Sequence, residues 1–108
     1  MAIEMTENLY EMGKIALDLR DLDLALENIS RAIIEENTED PEYWSLLAET
    51  LFYQAQFDES LDCWKVAASL NPFNKIAWIR ISALYALMEQ DERAEYYYKI
   101  AEQIPFEN

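Results

Sequence analysis

Trp44 and Trp78 stand 34 residues apart, and the pattern around each recurs at the same interval. Small residues match small ones: Ala48 and Ser82, Ser60 and Ala94, Ala67 and Ala101. Large residues match large ones, Trp64 with Tyr98, and Pro72 is echoed by Pro105 one residue early. An earlier stretch repeats the pattern with one extra residue: Leu9, Met12, Gly13 and Ala16, then Ala25, Ile29, Ala32 and Asn37. A period this long, filled with helix formers, leaves room for two helices and two short turns per unit. That spacing restricts the chain more than any other feature.

Within each unit the apolar residues fall at three- and four-residue spacings, the signature of one helix face. Leu9, Met12, Ala16 and Leu19 form the first stripe, and Leu24, Ala25, Ile29, Ala32 and Ile33 the second, with the charged break RDLD between them. Asp40 before Pro41, and Asn74 before Lys75, read as N-caps, and proline is tolerated at a first helical position because its missing N–H would be unpaired anyway. Helices are expected over 41–53, 58–70, 75–88 and 91–103. Only one glycine and three prolines are present, too few for hairpin turns. The expected fold class is all-α: six helices, in antiparallel pairs stacked as a right-handed superhelical α-solenoid.

Residues 6 to 106 resemble three tetratricopeptide repeats. The middle unit carries the signature at Trp44, Leu47, Ala48 and Leu51 in its first helix and at Ser60, Trp64, Ala67 and Pro72 in its second. Small residues at Gly13, Ala48, Ser82, Ala25, Ser60 and Ala94 would let paired helices approach, and Trp44, Trp64, Trp78 and Tyr98 would fill the space between turns. The expected organisation is one domain over residues 1–108, with repeats at about 6–40, 41–74 and 75–108. The resemblance implies a protein–protein interaction module whose concave groove, lined by the first helix of each unit, receives a partner peptide or protein.

By that resemblance the groove maps onto Glu7, Tyr10, Lys14 and Asp18, then Glu42, Glu49, Phe52 and Tyr53, then Ile76, Ile79, Arg80 and Leu87, with Leu17, Ser45, Ala83 and Ala86 between them. It reads acidic at its start and apolar toward its end. One subgroup of the family clamps a C-terminal carboxylate with basic and amide side chains. Here the matching positions are Tyr10, Lys14, Leu46, Ile76 and Arg80, of which only two are cationic, so that ligand is disfavoured. The expected partner is an apolar segment with a basic flank.

The charge agrees with that choice of partner. The chain carries 22 acids against 8 bases, a formal −14. Residues 1–62 hold 16 acids and 3 bases, and residues 63–108 hold 6 and 5, giving −13 and −1. So negative a surface repels phosphate backbones, which argues against nucleic acid. The opening MAIEMTENLYEM lacks a basic leader, and no apolar run approaches a membrane span, so a cytoplasmic location without membrane contact is expected.

Catalysis has little to build on. There is no histidine, no glycine-rich phosphate loop, and the single thiol, Cys63, has Glu59 and Asp62 beside it, which disfavour a thiolate. The acids Glu35, Glu36, Glu39 and Asp40 lack the spacing of a calcium loop. No enzyme activity, metal or cofactor is expected. A second reading comes from AEYYYKIAEQI at the end of the sixth helix: Tyr96, Tyr97 and Tyr98 span about 200° of a helix and cannot all face inward. Tyr96, Tyr97 and Ile100 are therefore expected to support self-association as a weak homodimer, the alternative function being self-assembly through this uncapped face.

Overall fold

The computed structural model describes residues 8–106. Among them lie six α-helices: α1 (Leu9–Asp18), α2 (Leu22–Glu36), α3 (Pro41–Tyr53), α4 (Phe57–Leu70), α5 (Lys75–Leu87) and α6 (Asp91–Glu102). No described residue is in a strand. Pairs α1–α2, α3–α4 and α5–α6 pack most closely, while α2 on α3 and α4 on α5 join one pair to the next. The result is an elongated body, 59 × 28 × 24 Å, as an α-solenoid of three pairs requires.

Local chemistry starts and stops these helices at the repeat interval. Asn8, Asp40 and Asn74 cap the first helix of each pair, accepting from the backbone N–H of Glu11, Glu42 and Ala77 at 3.0, 3.0 and 3.4 Å. Pro41 occupies the first turn of α3. Each first helix ends with a non-glycine residue in the left-handed region: Arg20 (φ 62°), Ala55 (φ 60°) and Glu89 (φ 61°). The backbone N–H of the following residue returns to the helix in all three, from Asp21 to Ala16, Gln56 to Leu51 and Gln90 to Tyr85, each at 2.9 Å. This is a Schellman stop, normally the place for glycine, and the sequence marks it with none. The positive φ at these three positions is the feature that residue type conceals.

The core runs along the pairs. Ala48, Leu51, Trp64, Ala67, Ala77, Ile81, Leu84 and Tyr85 are buried in one cluster, and Ala16, Leu17 and Ala25 in another. Gly13 faces Ile29, and a Cβ there would collide with the Ile29 side chain, so this crossing needs the chain's single glycine. In the second pair Ser60 Oγ donates to the Ala48 carbonyl at 2.7 Å; in the third, Ser82 Oγ donates to the Ala94 carbonyl at 2.6 Å. The serine has changed helices while the bond across the crossing is kept.

Trp64 is buried and Trp44 and Trp78 are half-buried, all three against the core. Tyr98 departs from the expected packing role and is 51% exposed. Its repeat counterpart Trp64 sits beside α5, whereas no described helix follows α6 to cover Tyr98. Tyr97 packs inward instead, stacked on Tyr85 (5.3 Å between centroids) and Trp78 (6.0 Å).

Candidate functional site

A hollow of about 340 Å³ opens between α3 and α5. Helix α3 supplies Glu49, Phe52 and Tyr53 to its wall, at the four- and three-residue spacings that place side chains along one helix face. Helix α5 supplies Arg80, Ala83, Leu84 and Leu87 opposite them, and Trp64 of α4 forms the floor. Phe52, Tyr53 and Leu87 remain exposed at the rim, while Trp64 and Leu84 are buried beneath. Phe57 braces Phe52 from behind, with ring centroids 5.6 Å apart. The walls offer apolar contact area, and two opposite charges face each other from the flanking helices.

Glu49 is half-buried, and its surroundings set its protonation. Burial raises its pKa above the ordinary glutamate value; Arg80 and Arg20 pull it back, and Asp18 and Glu42 push it up again. Two guanidiniums thus fail to compensate for the water Glu49 has lost. Arg20 is committed elsewhere. Its Nη1 donates to the Leu17 carbonyl at 2.7 Å, and its guanidinium lies 4.3 Å from the centre of the Tyr53 ring. That contact fixes Tyr53 at the rim.

Of the residues expected in a groove, Glu49, Phe52, Tyr53, Arg80, Ala83 and Leu87 share this hollow. Tyr10 stands apart, stacked on Tyr43 with centroids 4.4 Å apart. Tyr43 in turn donates to Glu36 Oε1 at 2.7 Å, and that bond raises the phenol to about 12. Lys14 and Asp18 are exposed on α1, outside the hollow. Glu42 and Ile76 line a second, more polar depression of about 310 Å³ beside Phe73, Lys75 and Phe106. Ile79 is half-buried on α5 and lines neither. Glu7 lies outside the described residues. The expected groove residues thus divide between the apolar hollow and the more polar depression, and Tyr10, Lys14, Asp18 and Ile79 line neither.

Trp64 and Leu84 line the hollow without having been assigned to it from sequence, because buried residues in a helix stripe read as core. They are both core and floor. At α6, Tyr96 is 63% exposed, Ile100 is half-buried, and Tyr97 is held between Trp78 and Tyr85, which withdraws most of its ring from any self-contact. Cys63 is buried, and burial, with Asp62 and Glu59 adding, raises its thiol to about 11. No described helix is long and apolar enough to cross a membrane.

The six described helices form three stacked pairs with a hollow between α3 and α5, the architecture of an α-solenoid. The same fold occurs in solved structures. A crystal structure of MamA superposes with a TM-score of 0.83 at 21% identity, over 89% of this chain and 56% of that one. A MamA point mutant gives 0.82 at 22%, over 97% and 78%. A CopN-Scc3 complex gives 0.81 at 19%, over 86% and 54%. The chain thus spans little more than half the length of the first and third of these. At such identities the likeness is one of fold. No protein-family model matches the chain, and no curated protein matches it in sequence.

Proposed function

We propose that this chain is a tetratricopeptide-repeat adaptor of three repeats, without catalytic activity, that binds an extended segment of a partner protein in the hollow between α3 and α5. The observation that carries this reading is the hollow itself: Phe52, Tyr53 and Leu87 stand exposed around a buried indole, with Glu49 and Arg80 facing each other across it. Exposed aromatic and aliphatic side chains around a concavity provide the anchor pocket on which peptide interfaces concentrate their affinity. A leucine- or phenylalanine-sized side chain fits there. Glu49, still short of compensating charge, favours a lysine or arginine beside that anchor, and Asp18 and Glu42 on the same side add long-range attraction. One of the solved structures sharing this fold is itself a protein complex, which is in keeping with an interaction role.

Selection from a random peptide library on the purified chain tests the reading. Sequences with one large apolar residue next to a base are expected. Enrichment of acidic sequences would refute it.

A further inference from the structure

The face of α1 that looks away from α3 is exposed at positions whose counterparts in the other two pairs are buried or half-buried. Repeat register carries Met12 onto Leu47 and Ile81, Ile15 onto Thr50 and Leu84, and Leu19 onto Gln54 and Met88. Ile81, Thr50 and Leu84 are 0, 0 and 2% exposed, and Met88 packs against the same core. On α1 the counterparts Met12, Ile15 and Leu19 are 42, 56 and 75% exposed. Their spacing of three and four residues sets them in one line along the helix. Leu24 of α2, also exposed, extends the line.

We propose that this face of α1 is a docking site for an amphipathic helix of a partner protein, with an aliphatic stripe and lysine or arginine along its edge. The helical form follows from the register, because at the internal joints the same positions are covered by a helix. Charge gives the edge. At ~100° per residue Glu11 and Asp18 fall together on the flank of the stripe that faces away from α2, and the one base on that side, Lys14, lies further round the helix. A second copy is the wrong occupant on the same ground. Two α1 faces laid against each other antiparallel would bring Glu11 and Asp18 of one copy onto those of the other. The α6 face of another copy would bring Glu95 and Glu102, which stand where α4 has Leu61 and Ala68, 7 and 1% exposed, against a single base, Lys99, that is already paired with Glu95 at 3.1 Å. Like charges oppose both self-contacts; a basic edge reverses the sign. Apart from Asp18, whose charge reaches both, the site shares no residue with the hollow between α3 and α5.

A hydrocarbon-stapled helix of leucine and lysine, the leucines on one stripe, serves as the probe. Phe52→Ala, at the rim of the hollow, and Ile15→Glu, on α1, separate the two sites. Fluorescence anisotropy is expected to show binding to the native chain, weakened about tenfold or more by Ile15→Glu and changed less than about twofold by Phe52→Ala. Replacing the lysines of the probe by glutamate is expected to weaken it by a similar factor. Circular dichroism checks that Ile15→Glu is folded, and Leu19→Glu, at the more exposed position, provides the same test should it not be. Equal binding by native chain and both α1 variants would overturn the proposal. So would loss on Phe52→Ala alone, equal affinity for the glutamate probe, or a concentration-dependent dimer of the native chain that Ile15→Glu abolishes.

Discussion

Ser60 Oγ donates to the carbonyl oxygen of Ala48 at 2.7 Å, in a crossing where both residues are fully buried. The bond ties α4 to α3 at the level of the core, and Ser82 to Ala94 does the same for α5 and α6 with donor and acceptor helices exchanged. The Ala48 carbonyl also belongs to the α3 ladder, so removing the hydroxyl strands no buried group. Ser60→Ala is therefore expected to cost about 0.5–1.5 kcal/mol, the net worth of one hydrogen bond, and Ser60→Val more because the crossing lacks room. Urea denaturation measures both. A Ser60→Val variant as stable as the native chain would show that the crossing is looser than described.

The three left-handed turn residues suggest the reverse kind of change. An alanine held at φ 60° bears a conformational cost of ~1–2 kcal/mol that glycine escapes, offset by ~0.5–1 kcal/mol of glycine's greater freedom in the unfolded chain. Ala55→Gly is expected to stabilise the chain by about 0.5–1 kcal/mol, and Glu89→Gly likewise. Thermal denaturation decides, and a lowered midpoint in both would contradict the left-handed assignment.

Residue type carries no signal for these turns. The helices and their caps were legible because apolar spacing, Asp40–Pro41 and Asn74 carry physical signals that need no partner. The Schellman stops were hidden, since Arg20, Ala55 and Glu89 are residue types without preference for that conformation. The site was legible in part. Position along a repeated helix puts Glu49, Phe52, Tyr53, Arg80 and Leu87 on one wall or the other, but the separation of Ile76 and Glu42 into another depression depends on how successive pairs are offset. Tyr97 and Tyr98 exchanged roles for a related reason: adjacent aromatics on one helix differ by ~100°, and which of them turns inward depends on the neighbouring helix.

Glu49 makes stability depend on pH in a definite direction. Its folded-state pKa is raised, chiefly by burial, so the folded chain holds this proton more tightly than the unfolded chain does. Its contribution favours folding below the unfolded value and is lost as pH rises through the raised one. Glu49→Gln, neutral throughout, is expected to melt higher than the native chain near neutral pH, with the gap closing on acidification. A gap that widens toward acid would contradict the burial of this carboxylate.

Cys63, with its thiol raised to about 11 by burial, should be inert near neutral pH. Iodoacetamide labelling is expected to follow unfolding, rising with urea through the same transition as the helical signal. Rapid labelling of the folded chain would place Cys63 on the surface and shift the register of α4.

Trp64 connects stability to the site, being both core and floor. Trp64→Ala is expected to destabilise by about 3–5 kcal/mol, enough to threaten a small domain, so it cannot report on binding. Leu87→Ala, at a 55% exposed rim position, leaves the fold intact and is the variant to use for affinity.

The most direct test of the hollow between α3 and α5 as the peptide site is to titrate a library-selected peptide into isotopically labelled chain and follow the methyl groups of Leu84 and Leu87 and the indole of Trp64 by NMR. All three signals are predicted to shift together with one dissociation constant, and Leu87→Ala to weaken it. Binding that leaves those signals in place while moving others would contradict the account.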